Sequence, residues 1–184
     1  AIICTHITAA NVAVAARMLT GQHFPIVCVP TDYETEGLWP HQSSDLFCVA
    51  TESMAETLRP RLVPEQRIRI TGIPTREDFR ASYDREQTRQ RLDLPQDKRI
   101  VLALAGAYLP RPYVRFRTAL DNLLPYLHTF GDTLHFVFVA GNDAEYAGHL
   151  RRACSDLGIS DCVTVLEYVE GMAGLMAASD LVIC

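Results

Sequence analysis

Eight short apolar runs, each separated from the next by a helical or polar stretch, constrain this chain more than any other feature. They fall at 2–5, 26–29, 46–50, 67–71, 100–105, 134–140, 162–166 and 181–184. Most are nearly continuous in Ile, Val, Leu, Phe, Cys and Ala instead of alternating with polar residues. That is the pattern of strands covered on both faces. Helical patterns lie between them at 9–20, 52–59, 84–91, 112–129, 143–157 and 170–178. Neighbouring parallel strands need a crossover, usually a helix. The alternation therefore predicts an α/β protein built on parallel sheets.

The alternation breaks once. Gly72-Ile73-Pro74 is followed by TREDFRASYDREQTRQRLDLPQDK (75–98), rich in charge and poor in apolar residues. It reads as a linker plus a solvated helix, and the halves divide near 72–83. No internal repeat in the strict sense is visible; the halves share only their βα architecture. The chain enters on one apolar run and stops inside another, so it reads as a piece of a longer protein.

Some function classes are excluded. The net charge is -5, without the basic footprint of nucleic-acid binders, so no nucleic-acid partner is expected. No apolar run approaches the roughly 20 residues of a spanning helix, and the opening Ala1-Ile2-Ile3-Cys4 reads as a strand, not a secretory leader. The six cysteines form no Cys-x-x-Cys pair, and four fall in or at the end of strand-like runs. That predicts free thiols in a reducing cytosol and no metal site.

In open α/β sheets ligands bind beyond the carboxyl ends of strands, which singles out four loops and the segment between the halves. The loop 30–41 holds Asp32, Glu34, Glu36, Trp39 and His41. Asp32 can accept hydrogen bonds from sugar hydroxyls, and His41 can orient a neighbour or donate a proton. An acidic loop with Trp39 packed on the core explains the same residues. Gly106-Ala107-Tyr108, after the run at 100–105, opens a strand–turn–helix element that can face a phosphate. It has one glycine only, and Pro110 and Pro112 remove N–H donors, so a dinucleotide fingerprint is absent. Asp143 suits a helix N-cap. Tyr168 and Val169, at the end of the run 162–166, can meet a flat base edge. In the segment between the halves, Gly72 permits a turn, Pro74 holds Ile73 extended, and Arg76 is placed to contact the base or diphosphate of a nucleotide. The basic residues Arg59, Arg61, Arg111, Arg115 and Arg117 read as solvated.

Taken in order, these segments resemble one family. TDYETEGLWPHQSSDLFCVATESMAETL (31–58), IRITGIPTREDF (68–79), VLALAGAY (101–108), FVFVAGND (136–143) and VTVLEYVEGMAGLMAASDLVIC (163–184) are similar to the diacylglycerol glucosyltransferases and monogalactosyldiacylglycerol synthases. The bacterial peptidoglycan N-acetylglucosaminyltransferase is similar more distantly. The resemblance implies a GT-B fold: two Rossmann-like domains, both incomplete here. Residues 1–75 would be the later part of an acceptor- and membrane-facing domain, and 76–184 the earlier part of a UDP-sugar-binding domain. It implies UDP-glucose or UDP-galactose as donor, diacylglycerol or a related lipid as acceptor, no tightly bound cofactor or metal, and peripheral attachment to the cytoplasmic face of a membrane. By the same resemblance Arg76, Gly106, Ala107, Tyr108, Tyr168 and Val169 meet the donor, and Asp32, Trp39 and His41 line the acceptor side. Glu36 stands where the family has a histidine, and Tyr108 where it usually has glycine or histidine. The family's general base and its main donor-gripping loop fall outside these residues, so the chain alone is expected to be inactive. Two other functions fit the same architecture: a UDP-sugar 2-epimerase, and a degenerate, non-catalytic nucleotide-binding module.

Overall fold

The computed structural model describes residues 1–35, 37–106 and 112–184, with 112–114 described by backbone alone. The chain divides into two compact units, Ala1–Thr75 and Arg76–Cys184. Each is built on its own four-stranded sheet, parallel throughout. All eight apolar runs are strands, so the α/β architecture read from their pattern holds.

In the first unit β1 (Ile2–Cys4), β2 (Ile26–Cys28), β3 (Leu46–Val49) and β4 (Ile68–Ile70) lie side by side in sequence order. Helix α1 (Ile7–Thr20) follows β1 and α2 (Glu52–Leu58) follows β3. Helix α1 begins two residues earlier than its apolar pattern predicts, because His6 caps it: Nδ1 accepts the Thr8 N–H at 3.1 Å. Thr51 caps α2 through the Met54 N–H at 3.3 Å. Cys4, Cys28, Phe47 and Ile68 stand in one register row across the sheet. They pack with Ala10 and Ala13 of α1 and Met54, Ala55 and Leu58 of α2 in a single core. Burying a side chain the size of Phe47 contributes about 1.5–3 kcal/mol. Strands β2 and β3 are joined without a regular helix among the described residues. Trp39 anchors that long loop in the core, edge-on to Phe47 with ring centroids 6.4 Å apart. Burial raises the Cys28 thiol pKa to about 11, so it behaves as a small apolar side chain.

In the second unit the strands are β5 (Arg99–Leu104), β6 (Leu134–Val139), β7 (Val163–Leu166) and β8 (Leu181–Ile183), in the order β7-β6-β5-β8. The helices are α3 (Arg85–Arg91), α4 (Pro112–Leu123), α5 (Ala144–Asp156) and α6 (Met172–Ala178). Alternation along β5 and β6 sorts the core into two layers. Val101, Ala103, Phe136 and Phe138 face Leu120, Leu124 and Leu150. Ile100, Leu102, Val137 and Val139 face Leu94 and Leu175. The helix predicted over 112–129 ends at Leu123, and Leu124–Phe130 continues as a 3-10 helix. Pro125 accounts for the change, since it has no N–H for the α-helical ladder.

Helix α3 is not the solvated helix its charges predict. Arg89 is 4% exposed. Its Nε donates to the Ala178 carbonyl at 3.0 Å, one terminal nitrogen to the Lys98 carbonyl at 3.0 Å, and the other to Asp180 Oδ2 at 2.9 Å. A guanidinium with five donors can enter a core when nearly every donor finds an oxygen.

The strand order places a topological switch at β5. The chain steps outward through β6 and β7, then returns to the far side of β5 for β8. The carboxyl ends of the strands at such a switch are the expected ligand position.

Candidate functional site

Gly106 follows β5 and Gly141 follows β6, and their backbones touch. A methyl group on Gly106 would stand 2.6 Å from the Gly141 nitrogen and 2.8 Å from the Ala140 carbonyl carbon. Gly141 has φ +62°, and a methyl there would sit 3.0 Å from the Gly106 oxygen. Only glycine fits at either position. Asp143 then starts α5 as its N-cap, Oδ1 accepting the Tyr146 N–H at 3.0 Å. Its other oxygen accepts from Arg117 of α4 at 2.7 Å. Those two partners, the Tyr146 amide first, hold its carboxyl below the usual carboxylate range. Arg117 also donates to the Ala105 carbonyl at 3.0 Å and lies 4.1 Å over the Tyr146 ring. The candidate donor residues Ala107 and Tyr108 lie outside the described residues, as do Glu36 and Arg111.

At the end of β7, Tyr168 is 68% exposed, while Val169 packs on the layer formed by Leu102 and Val139. Arg76 opens the second unit and is held in a two-pronged pair with Asp78, Nε to Oδ1 at 3.2 Å and a terminal nitrogen to Oδ2 at 2.6 Å. Its guanidinium lies 5.7 Å from the Phe79 ring centroid. The Asp78 hydrogen bond holds the guanidinium proton more tightly than usual, and Tyr168 and Tyr83 lie near enough to add to the effect. The fold thus brings Arg76 and Tyr168, ninety-two positions apart, into electrostatic reach of each other. Just before Arg76, Gly72 has φ +77°, the left-handed turn its lack of a side chain allows.

In the first unit the loop residues take different stations. Asp32 is exposed and Trp39 buried. His41 is half-buried, its ring stacked on Phe47 at 5.8 Å and its Nε2 3.4 Å from Arg61. Burial, then the Arg61 charge, holds the His41 pKa below its ordinary value, so the ring stays neutral to lower pH. Arg61 also donates to the Thr35 carbonyl. Trp39, His41 and Arg61 therefore brace the loop on the sheet, and Asp32, like Glu34, faces solvent.

Two arginines that read as solvated, Arg61 and Arg117, are in fact loop clamps. Their partners are carbonyls and a carboxylate remote in sequence, and no local pattern marks them. Among the described residues no group of three or more His, Cys, Asp or Glu side chains is placed to hold a metal ion. No described helix is long and apolar enough to cross a membrane. What the second unit offers at its carboxyl edge is a tight glycine pair, a held arginine and an exposed tyrosine. Such a surface can bind an anion and an aromatic ring.

Comparison with known proteins bears on that surface. Residues 1–75 match the family described as monogalactosyldiacylglycerol (MGDG) synthase. The processive diacylglycerol beta-glucosyltransferase of Bacillus subtilis is 28% identical over 167 residues, 91% of this chain and 41% of its own. That of Bacillus cereus is 34% identical over 166 residues, 89% of this chain and 40% of its own. The chain thus spans about two fifths of the length of the curated relatives it matches. Among solved structures, UDP-GlcNAc 2-epimerase from Neisseria meningitidis bound to UDP-GlcNAc superposes with TM-score 0.67 at 17% identity, over 98% of this chain and 52% of that one. Anabaena HepE in complex with UDP-glucose superposes with TM-score 0.58 at 16% identity, over 98% and 51%. At these identities the likeness is one of fold. Residues 1–75 are thus similar to the monogalactosyldiacylglycerol synthase family and both units to the diacylglycerol glucosyltransferases, on the α/β fold of GT-B glycosyltransferases.

Proposed function

We propose that the protein carrying this chain transfers a hexose from UDP-glucose or UDP-galactose to diacylglycerol or a related lipid. It works as a peripheral enzyme on the cytoplasmic face of a membrane. The first unit serves the acceptor, with Asp32, Trp39 and His41 on that side. The second serves the donor through Arg76, Gly106, Ala107 and Tyr108, and the Tyr168–Val169 strand end. In the reaction the acceptor hydroxyl oxygen forms the new bond to the anomeric carbon as the bond to the UDP oxygen breaks, with inversion. A base outside these 184 residues takes the hydroxyl proton. Backbone N–H groups and a helix end stabilise the charge on the departing diphosphate. The chain by itself is inactive on this reading.

The observation that carries the proposal is the similarity to diacylglycerol beta-glucosyltransferases, which extends across both units and reaches 34% identity. The test is an assay of the full-length protein with UDP-glucose or UDP-galactose and vesicles containing diacylglycerol. A glycolipid product from either donor is expected. Absence of product from both sinks the proposal, and turnover of UDP-N-acetylglucosamine without any lipid would establish the epimerase instead. A protein with no affinity for UDP would be the degenerate module.

A further inference from the structure

We infer that Arg117 is the positioning residue of the donor site: it holds the turns after β5 and β6 in register and cancels a carboxylate that would otherwise repel a nucleoside diphosphate. The inference rests on the donor reading above and adds a residue to it.

The geometry is a four-way tie. Nε donates to the Ala105 carbonyl, the last before Gly106, at 3.0 Å. One terminal nitrogen donates to Asp143 Oδ2 at 2.7 Å, two residues after Gly141. The guanidinium plane covers Tyr146 at 4.1 Å, and Tyr146 in turn donates its hydroxyl to Asp121 of α4 at 3.3 Å. A single planar cation thus links the ends of two neighbouring strands and the helices that follow them. It does so where Gly106 and Gly141 already touch, so a small shift in either turn has nowhere to go. Lysine cannot substitute, because a point charge on a flexible stem does not hold two oxygens in fixed directions.

The charge argument is independent of the geometry. Asp143 must stay, since it caps α5. As a lone carboxylate beside a diphosphate it would oppose binding. Paired to Arg117 it is neutral in sum. The second terminal nitrogen of Arg117 is buried and has no hydrogen-bond partner. A buried unpaired donor is costly, so the side chain is not placed here for stability alone.

The experiment uses the full-length protein, UDP as a probe of the free site, and steady-state rates with UDP-glucose and diacylglycerol vesicles. Arg117→Ala is expected to raise the UDP dissociation constant and the donor KM by about tenfold to a hundredfold, with the acceptor KM unchanged. Adding Asp143→Asn, which keeps a capping side chain and removes the charge, should recover part of that loss. If Arg117→Ala does not fold, Arg117→Lys is read instead, with a several-fold rise in donor KM expected. An unchanged donor KM in whichever folded variant is measured overturns the inference. Equal rises in donor and acceptor KM do so too, as does the absence of any recovery with Asp143→Asn. If the unmodified protein itself fails to bind UDP, the donor reading has failed, which is a different result from UDP binding that ignores Arg117.

Discussion

Asp45 and Asp180 hold the same station in the two units. Each stands one residue before a strand and exchanges two hydrogen bonds with the neighbouring strand. Asp45 donates its N–H to Ile26 O at 2.9 Å and accepts the Ile26 N–H at Oδ2, 2.8 Å. Asp180 does the same with Ile100, at 2.8 and 2.7 Å. Each carboxylate also takes a helix arginine, Arg17 at 2.7 Å and Arg89 at 2.9 Å, and that arginine donates onward to backbone carbonyls. The preceding serines match too: Ser44 donates to Pro40 O at 2.8 Å and Ser179 to Leu175 O at 2.7 Å. Ser-Asp-Leu at 44–46 and 179–181 is thus one structural device used twice. It supplies an acceptor to an N–H at the sheet's amino-terminal edge that no neighbouring strand satisfies.

The two copies differ in burial, and that sets their cost of removal. Arg89 is 4% exposed in its side chain, whereas Arg17 is 18% and its partner Asp45 41%. Arg89→Ala leaves Asp180 with Arg85 as its remaining cation and several buried carbonyls short of a donor, and should destabilise the second unit by about 2–3 kcal/mol. Arg17→Ala should cost about 1 kcal/mol. Urea unfolding followed by circular dichroism measures the first. Fluorescence of Trp39, the only tryptophan, follows the first unit and measures the second. Equal losses would show that burial does not distinguish the pairs.

The glycine pair is a sharper case, because the obstacle is backbone. At Gly106 an added methyl meets the Gly141 nitrogen at 2.6 Å and cannot be accommodated by a rotamer change. Gly106→Ala and Gly141→Ala should each destabilise the second unit by about 1–3 kcal/mol and weaken UDP binding by the full-length protein. Thermal unfolding and calorimetric titration with UDP give the two readouts. An alanine variant with unaltered UDP affinity would remove this turn from the donor site.

Strand positions were legible because most strands are apolar runs: the second sheet is covered on both faces, while in the first one face packs on the core and Ile3 and Arg69 of the other stay exposed. Asp143 was legible as a cap because its rule is local. What escaped was every feature that depends on a distant partner. Arg89 sits in a stretch of TRQRLD (88–93) that nothing local distinguishes from a solvated helix; its chief ion-pair partner lies 91 residues on. The Ser-Asp-Leu repeat was hidden for the same reason, since its arginines lie 28 residues before one aspartate and 91 before the other. At the candidate site, Arg76 and Tyr168 were named from their strand-end and inter-unit positions and from resemblance, while Arg117 looked like any exposed arginine.

A histidine gives the second unit a pH dependence of its own. His135 is buried in β6, its Nε2 2.8 Å from Thr164 Oγ1 and its Nδ1 without a partner. Burial, then the Lys98 charge, lowers its pKa below the ordinary 6.5. Between the folded pKa and 6.5 the unfolded chain binds a proton that the folded chain does not. The stability contribution is therefore full above about pH 6.5 and falls as the pH drops towards the folded pKa, with a slope of at most about 1.4 kcal/mol per pH unit. Asp45, Asp143 and Asp180 all titrate below their ordinary 3.8 in the folded chain, so their losses come at lower pH and do not mask this step. Urea midpoints of the wild type and of His135→Gln, compared from pH 7.5 to 5, should diverge with the wild type losing more. Parallel curves would mean that His135 is protonated without penalty.

Arg76 separates a binding role from a structural one. It is exposed, and an exposed ion pair contributes little to stability, so Arg76→Ala should leave the unfolding temperature nearly unchanged. If Arg76 meets the nucleotide, the same substitution should weaken UDP binding by the full-length protein about tenfold or more, as expected for a lost charge-assisted hydrogen bond. Comparing uridine with UDP divides the effect: loss confined to UDP places Arg76 at the diphosphate, and equal loss for both places it at the base. Asp78 holds the guanidinium in its two-pronged pair, so Asp78→Asn should produce a smaller loss of the same kind by releasing a pre-set side chain. An Arg76→Ala protein that binds UDP as the wild type does would mean that Arg76 serves the Asp78–Phe79 turn alone, and the donor site would have to be sought around the Gly106–Gly141 pair without it.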